Sequence, residues 1–363
     1  MTVSVIVLAA GAGTRMRSDR PKPLHRICGR PLVLHVVHAL AQLRPTHTVL
    51  VVGHAAEQVT KLVQHEAPSW ANVTFVEQIE QNGTGDAAAI GMTALAGDDY
   101  DDEHAIVVIL PGDAPLLAPE TLDELVATHV ANSNAATMLT SVMDDPTGYG
   151  RVIRANDGRV LRIVEQRDGS REELDVDEVC TSIYVFQRDL LGPALRNLTT
   201  DNAQGEFYLT DVIGGLASMG HRVGAVPAPE SETQGVNDRW QLALAERELR
   251  NRTNRHWLLN GVTMVDPRQT FIDVTARLGR DVTIYPGTLL QGATVIGDGC
   301  EIGPATQLDG CVVGANSTVR QTVATDAEIG DDAVVGPFAY LGPGSTVISG
   351  AITGPFYTAP VDS

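Results

Sequence analysis

Cysteine is scarce in this chain of 363 residues, which contains 4 of them. They are Cys28, Cys180, Cys300 and Cys311. No two of them form a CxxC pair, and none lies in a histidine-rich stretch. We therefore expect reduced structural thiols rather than a zinc site or a disulfide framework.

Positive charge is also in short supply, with 26 lysines and arginines against 45 aspartates and glutamates and a formal net charge of -19. Such a chain would repel the nucleic acid backbone, so we expect no nucleic-acid partner. No apolar run is long enough to span a membrane, and no charged leader precedes the first predicted strand. The sequence predicts a soluble, cytoplasmic protein with no membrane partner, which must hold any anionic ligand with a local basic patch.

The length exceeds what a single core usually supports, so two domains are expected. Up to about residue 230, apolar runs alternate with amphipathic ones, which predicts a doubly wound α/β domain with ligands at the carboxyl ends of its strands. The predicted strands are Val3 to Ala9, Thr48 to Val52, Val73 to Val76, Ala105 to Leu110 and Ala136 to Ser141. The predicted helices are Pro31 to Leu43, Ala55 to His65, Gly85 to Leu95 and Pro119 to Val130.

A long charged run, Asn237 to Asn260, follows this α/β region and is predicted to be a linking helical arm. Within it Trp240, Ala243 and Leu244 have the i, i+3, i+4 spacing of one helix face.

Beyond Arg280 an aliphatic residue recurs at every sixth position, with glycine and small residues between. One register is Ile284, Leu290, Ile296, Ile302 and Leu308; after an irregular piece, a second is Ile329, Val335, Leu341 and Val347. This repeat predicts a left-handed parallel β-helix, the alternative being scattered strands of a small sandwich. Such prisms commonly associate side by side, so we expect a homotrimer.

The run Leu8 to Leu24 joins the first strand to a glycine-rich turn and a cationic loop. Gly11 and Gly13 allow a sharp turn whose N–H groups can approach phosphate oxygens. The pattern is neither the dinucleotide-binding GxGxxG nor the P-loop, and alone it also fits an irregular turn. Lys22 and Lys61 are the only lysines of the chain, however. A lysine in this loop favours a point contact on a phosphate.

The whole run resembles the signature loop of sugar-1-phosphate nucleotidyltransferases, and its extension through Pro23, Leu24 and His25 resembles that of the bacterial bifunctional N-acetylglucosamine-1-phosphate uridyltransferases in particular. The resemblance extends through most of the chain. It implies a Rossmann-like nucleotidyltransferase domain over residues 1–236, a helical arm over 237–262 and a short left-handed β-helix stem over 263–363. The substrates it implies are UTP and a hexosamine-1-phosphate.

Residue roles follow from the resemblance. Arg15 and Lys22 would be catalytic, and the glutamine Gln78 with the turn at Gly83 would read uracil. The full set implied to bind the nucleotide is Leu8, Ala9, Ala10, Gly11, Gly13, Thr14, Gln78, Gly83 and Thr84. Without the resemblance, the segment at Gly83 also fits an Asn-Gly turn capped by Thr84. Asp86 stands where the family generally has histidine.

Asp113 comes directly after an apolar strand, where a carboxylate can bind magnesium, although a strand-end Gly-Asp is also common in turns. The resemblance assigns Mg²⁺ to Asp113 and Asn237, and it also places Asn237 among the sugar-binding residues. Asp113 and Asn237 are far apart in the sequence, so their spacing cannot show whether they bind the same ion.

The strings GYGR and IVEQRD resemble the sugar pocket of the family, and the resemblance implies that Gly150 and Glu165 contact the sugar. Without the resemblance, Gly150 also fits a hairpin glycine and Glu165 a solvated strand residue. Cys180 stands where the family has a sugar-binding asparagine, and Ser182 where it usually has glycine. A thiol cannot replace the donor and acceptor of an amide. We expect weakened substrate affinity or a preference for another sugar.

The stem departs further, because Gly342 stands where an acetyltransferase of this family has an arginine. The chain also stops at Ser363, before the coils that would carry the remaining acetyl-transfer residues. We therefore expect uridylyl transfer without acetyl transfer. Two other hypotheses stay open, a nucleotidyltransferase for a different hexose or nucleotide and a catalytically silent trimeric scaffold.

Overall fold

The computed structural model describes residues 1–95, 102 and 104–359. Contacts divide the chain into two compact units, one made of Met1–His25 and Pro31–Leu242 and the other of Arg26–Arg30 and the residues from Ala243 onward. Helices long and apolar enough to cross a membrane are not found in this described part of the chain.

The first unit is built on a mixed sheet with strand order β11-β7-β10-β6-β1-β4-β5, to which β8 and β9 are added beside β10. In chain order the strands up to residue 227 are β1 (Val3–Ala9), β2 (Arg26–Ile27), β3 (Arg30–Pro31), β4 (His47–Val52), β5 (Val73–Glu77), β6 (Ile106–Pro111), β7 (Ala136–Val142), β8 (Gly150–Arg154), β9 (Val160–Val164), β10 (Glu178–Gln187) and β11 (Val223–Pro227). Strands β6, β1, β4 and β5 are parallel, whereas β10 runs antiparallel to β6 and β7.

Helices cover both faces of this sheet. They are α1 (Leu32–Ala39), α2 (Ala56–Glu66), α3 (Thr84–Thr93), α4 (Pro119–Ala131), α5 (Arg171–Leu174), α6 (Arg188–Arg196), α7 (Thr210–Ser218) and α8 (Glu230–Thr233). A further helix, α9 (Arg239–Leu259), follows them in the chain. Val5 and Val7 of β1 pack in the cluster shared with α1, α2 and α4, whereas Ile6 packs with α3, α6 and α7. Because helices bury both faces, β1 reads as a continuous apolar run.

The five predicted strands and the four predicted helices of this region are all present, with ends that differ by a few residues. The largest difference is in the helix predicted over Pro31 to Leu43, because α1 spans only Leu32–Ala39. The antiparallel strand β10 was not predicted. It inserts between β6 and β7, so the sheet is mixed rather than wholly parallel.

The charged run 237–260 forms α9, as expected of a helical arm. Trp240, Ala243 and Leu244 lie in this helix at the predicted spacing, but Trp240 is 71% exposed and Ala243 is also exposed. The buried residues of α9 are Ala245 and Asn254. Asn254 is held by its amide, which donates to the Thr270 carbonyl at 3.0 Å.

The second unit is a left-handed parallel β-helix of three sheets, which confirms the predicted fold class. Its strands are β12 (Thr263–Met264), β13 (Thr270–Ile272), β14 (Arg277–Leu278), β15 (Thr283–Ile284), β16 (Thr288–Gln291), β17 (Val295–Ile296), β18 (Glu301–Ile302), β19 (Gln307–Asp309), β20 (Val312–Val313), β21 (Thr318–Val319), β22 (Val323–Thr325), β23 (Glu328–Ile329), β24 (Val334–Val335), β25 (Tyr340–Leu341) and β26 (Thr346–Val347). Residues 360–363 of the predicted stem lie outside the described residues.

The two aliphatic registers are both buried in the stem core. The irregular piece between them does not interrupt the coils, because Val313, Val319 and Ala324 continue the same inward row with 1%, 0% and 0% exposure. The sequence period breaks there because some sides of the prism are one residue shorter. Each coil still pairs with the next, as where β19 pairs with β22 and β22 with β25.

Candidate active site

The carboxyl ends of β1 and β6 meet at one edge of the sheet. Leu8 is paired with Pro111 in the parallel register, and the Gly112 N–H donates to the Leu8 carbonyl at 2.8 Å. The glycine-rich loop after β1 and the segment carrying Asp113 therefore begin side by side. Ligands of open α/β sheets bind at this kind of edge.

The loop after β1 needs glycine at position 13. Gly13 has φ 60, in the left-handed region, and a Cβ there would lie 2.6 Å from the Lys22 Cβ. Any other residue would strain the backbone and displace Lys22. Gly11 has no atom within 4 Å of where its Cβ would stand, so it leaves open space beside the backbone.

The ammonium of Lys22 joins two side chains from distant parts of the sequence. Its Nζ forms an ion pair with Asp113 and donates to the Asn237 Oδ1 at 2.8 Å. The loop carrying Asn237 is tied to Asp113 as well, since the Val236 N–H donates to the Asp113 carbonyl at 2.8 Å. The structure thus brings together Lys22, Asp113 and Asn237, which sequence spacing could not test.

Lys22 is partly buried although it lies in a charged loop. The side chains of Lys22 and Asp113 are 14% and 25% exposed. The ion pair is partly buried because both partners lie at the sheet edge rather than at the loop tip.

A cleft of about 460 Å³ opens at this edge of the first unit. Of the residues predicted for the site, it is lined by Leu8, Ala9, Ala10, Gly11, Gly13, Thr14, Arg15, Lys22, Gln78, Gly83, Thr84, Asp113 and Asn237. The other lining residues are Ala12, Pro23, Gln81, Ala87, Pro111, Gly112, Ser182 and Glu206. Glu206 was not predicted as a site residue.

The Gln78 side chain is fixed by two acceptors. Its Nε2 donates to the Asp86 Oδ2 at 2.8 Å and to the Gly83 carbonyl at 3.2 Å, and the residue is 3% exposed. Gly83 has φ 111, and a Cβ there would lie 2.5 Å from the Phe207 carbonyl oxygen. The turn is not capped by Thr84, whose hydroxyl accepts from the Leu209 N–H at 3.1 Å.

The predicted sugar residues Gly150, Glu165 and Cys180 lie together, although none is among the residues that line the cleft. Gly150 on β8 pairs with Cys180 on β10 in the antiparallel register. A Cβ on Gly150 would lie 3.5 Å from the Glu165 Oε1 and 2.8 Å from the Ile163 Cγ2. Glycine is therefore required there by close packing.

Glu165 is held by Thr210, whose hydroxyl donates to its Oε1 at 2.9 Å. Burial raises the pKa of Glu165 above its ordinary value, and the nearby carboxylates Asp211 and Asp168 act in the same direction. Glu165 is thus not the solvated strand residue that an ordinary structural explanation of its motif would require.

Cys180 is 3% exposed, and its thiol donates to the Tyr184 hydroxyl at 3.2 Å. Burial raises the pKa of this thiol to about 12, so it is neutral at physiological pH. The register of β10 against β7 shifts between Cys180 and Tyr184. Within this irregularity Ser182 has φ 61 and lines the cleft. A positive φ explains why glycine suits that position better than serine.

Arg239 was not predicted as a site residue, although it stands two positions after the predicted Asn237. Its Nε donates to the Met16 carbonyl at 3.1 Å, and its Nη1 lies 3.3 Å from the His25 Nδ1. Burial and the Arg239 charge lower the pKa of His25. One guanidinium therefore fixes the chain on both sides of the segment that carries Lys22.

The fold and this cleft are those of a nucleotidyltransferase. Residues 5–208 match the family model of the MobA-like NTP transferase domain. The glycine-rich loop, Lys22, Gln78 and Asp113 all lie within the matched residues.

Curated relatives define the family further. The bifunctional protein GlmU of Corynebacterium efficiens is 49% identical over 344 residues, which cover 94% of this chain and 70% of that protein. The GlmU proteins of Streptomyces avermitilis and Mycobacterium ulcerans are 48% and 46% identical, each over 97% of this chain and over 72% and 71% of their own lengths. The chain belongs to the GlmU family and is a sugar-1-phosphate nucleotidyltransferase, which confirms the resemblance inferred from its motifs.

Proposed function

We propose that this protein transfers a uridylyl group from UTP to N-acetylglucosamine-1-phosphate, forming UDP-N-acetylglucosamine and pyrophosphate. The observation that carries the proposal is the convergence of Lys22, Asp113 and Asn237 at one point of the cleft. Phosphate oxygens bind both cations and backbone N–H groups, and the glycine-rich loop lines the same cleft. Membership of the GlmU family supports the choice of nucleotide and sugar.

In this reaction an oxygen of the sugar phosphate attacks the α-phosphorus of UTP. A new P–O bond forms as the bond from the α-phosphorus to the bridging oxygen of the β-phosphate breaks, and pyrophosphate leaves with the electron pair. The attacking phosphate is already an anion at neutral pH, so no general base is required. The protein has to align the two phosphates and offset their charge.

Arg15 and Lys22 would offset the charge on the triphosphate. Both line the cleft, and Lys22 is held at the sheet edge by its bonds to Asp113 and Asn237. A compact ammonium can exchange these bonds for bonds to phosphate oxygens without large movement. Backbone N–H groups of the loop from Gly11 to Thr14 would bind the remaining oxygens.

The residues present fit a magnesium ion. The Asp113 carboxylate and the Asn237 amide oxygen both contact one ammonium, so two oxygen ligands already converge on a single cation. Groups of three or more His, Cys, Asp or Glu side chains able to hold a metal are not found among the described residues. Mg²⁺ needs fewer protein ligands because it keeps several waters and binds substrate phosphates. When bound, Mg²⁺ would reduce the negative charge on the reacting phosphates.

Gly150, Glu165 and Cys180 would form the sugar side of the site. A partly buried carboxylate held by Thr210 can accept hydrogen bonds from sugar hydroxyls. Cys180 favours a second candidate, the same reaction on a different hexose-1-phosphate, because its thiol is buried and bonded to Tyr184 where the family has an asparagine. The loss of one buried hydrogen bond costs about 1 to 3 kcal/mol, enough to change the preferred sugar.

The stem supports two further proposals, that the protein is a homotrimer and that it does not transfer acetyl groups. Gly342 offers no cation where an acetyltransferase of this family has an arginine. Outward apolar side chains on the stem with exposures of 39% to 50% are Phe271, Val295, Val312, Val323, Val334 and Tyr340. Light scattering and an acetyl coenzyme A assay test the two proposals. We also propose that the nucleotidyltransferase domain spans residues 1–236, the helical arm 237–262 and the stem 263–363.

The proposed reaction is tested by pyrophosphate release from UTP. The purified chain is supplied with UTP and Mg²⁺, with and without N-acetylglucosamine-1-phosphate. We expect release only when both substrates are present, with UDP-N-acetylglucosamine formed in equal amount. Release without the sugar phosphate would indicate hydrolysis, and no release under either condition would favour the silent scaffold.

A further inference from the structure

We propose that Asp86 is a positioning residue that makes the cleft select uracil over cytosine by fixing the orientation of the Gln78 amide. The proposal rests on the uridylyl transfer proposed above and concerns a position at which this chain departs from its family. Asp86 lies in the first turn of α3, and its carboxylate oxygen accepts from the Gln78 Nε2 at 2.8 Å.

The amide of a glutamine can point either way, because its oxygen and nitrogen ends have nearly the same shape. Here the neighbours decide. The Asp86 carboxylate and the Gly83 carbonyl are both acceptors, and both contact the same end of the amide. Only the NH₂ end can satisfy them, so the oxygen end must point the other way. The backbone of Gln78 is fixed too, since its N–H donates to the Val52 carbonyl at 2.8 Å.

The remaining end of the Gln78 amide is an acceptor that a ligand can use. Gln78 lines the cleft, and no hydrogen bond to its Oε1 is found within the described part of the chain. Oε1 is also absent from the fully buried side-chain atoms that lack a partner among the described residues. An accessible carbonyl oxygen thus lies at the cleft.

Such an oxygen distinguishes the two pyrimidines. Uracil carries a hydrogen on N3 and can donate to Oε1, whereas N3 of cytosine is an acceptor and would face another acceptor. A site built around a hydrogen bond strongly rejects an analogue that cannot make it, because buried polar groups are then left unpaired. Asp86 supplies the repulsive part of this selection, since it prevents the amide from turning its NH₂ end toward cytosine.

The substitution Asp86→Asn tests the proposal. An asparagine can donate as well as accept, so in this variant only the Gly83 carbonyl still requires the NH₂ end of the Gln78 amide, and the amide can turn more easily. We compare kcat/KM for UTP and CTP with the same sugar phosphate. The matched control is Glu57→Gln, which removes a carboxylate from the first turn of α2 at an exposed ion pair with Lys61.

We expect the ratio of kcat/KM for UTP to that for CTP to fall at least about tenfold in Asp86→Asn and to stay within about twofold in Glu57→Gln. An equal loss with both nucleotides, or an unchanged ratio, would overturn the proposal, because Asp86 would then be only structural. If Asp86→Asn does not fold, Asp86→Ala is used instead, for which we expect a ratio at least about threefold lower. A wild-type protein inactive with UTP would refute the proposed function itself.

Discussion

Lys22 and Asp113 form a partly buried ion pair between the loop after β1 and the end of β6. The pair places the loop ammonium beside the one carboxylate to which the resemblance assigns the metal. Asn237 completes the arrangement by accepting from the same ammonium at 2.8 Å. This one ammonium therefore contacts both of the side chains that we propose as magnesium ligands.

Replacing Lys22 with glutamine should lower turnover by about a hundredfold or more, because a positive charge that faces the reacting phosphates is lost. The free energy of unfolding should change by only about 1 kcal/mol, since the glutamine amide can still donate to Asp113. Steady-state kinetics and thermal unfolding measure the two effects.

The matched control for this change is Lys61→Gln, which removes the only other lysine, 74% exposed in an i,i+4 pair with Glu57. Its kinetics should equal those of the wild type. Near-normal kcat in Lys22→Gln would show that the ammonium has no part in the reaction.

Asp113→Asn should raise the Mg²⁺ concentration needed for half-maximal activity at least about tenfold and reduce the maximal rate, because a neutral amide binds this cation poorly. A magnesium titration at saturating substrates measures both quantities. Asp123→Asn, at an exposed position of α4, serves as the control. An enzyme whose activity survives a chelator would be incompatible with the metal proposal.

Glu165→Gln should remove a loss of stability that accompanies rising pH. Burial raises the pKa of Glu165 in the folded protein, so between its ordinary value and the raised one the folded state binds more protons than the unfolded state. The contribution of this group to stability is therefore lost as pH rises through that window. As pH rises through this window, the difference between the free energy of unfolding of the variant and that of the wild type (variant minus wild type) should increase.

Chemical unfolding of both proteins at a series of pH values measures this difference. Glu172→Gln on α5, an exposed carboxylate, should leave the pH profile of the wild type unchanged. A flat difference for Glu165→Gln would show that this carboxyl group is not buried as the structure describes.

Cys180→Asn tests the sugar side of the site. If the pocket is a weakened version of that of the family, the variant should improve kcat/KM for N-acetylglucosamine-1-phosphate by about tenfold, because an amide restores a donor and an acceptor. If another hexose is the substrate, the same change should impair its use. Cys180→Ser, which restores no amide, should not improve the reaction. If kcat/KM of Cys180→Asn equals that of the wild type for every sugar phosphate, Cys180 lies outside the pocket.

The buried strands were predictable because β1 and β6 are covered on both faces. Strands of this kind are continuous apolar runs in the sequence. The glycine-rich loop and Lys22 were predictable because special backbone conformations and a rare residue type mark them. The aliphatic period of the stem was equally informative, and it failed only where sides of the prism lose a residue.

Other features depend on contacts between distant residues and leave little trace in the sequence. The antiparallel insertion of β10 is a choice of pairing, which periodicity does not encode. Arg239 acts through a carbonyl and a histidine far from it along the chain. The orientation of the Gln78 amide depends on Asp86. The sequence shows that Asp86 departs from the family, but it does not show that Asp86 contacts Gln78.

The most direct test of the account is a competition in which one reaction contains UTP, CTP, GTP and ATP together with several hexose-1-phosphates. Mass spectrometry identifies the nucleotide sugar that forms first. The account predicts UDP-N-acetylglucosamine as the main product, with formation dependent on Mg²⁺. A different nucleotide sugar as the main product, or none at all, would contradict it.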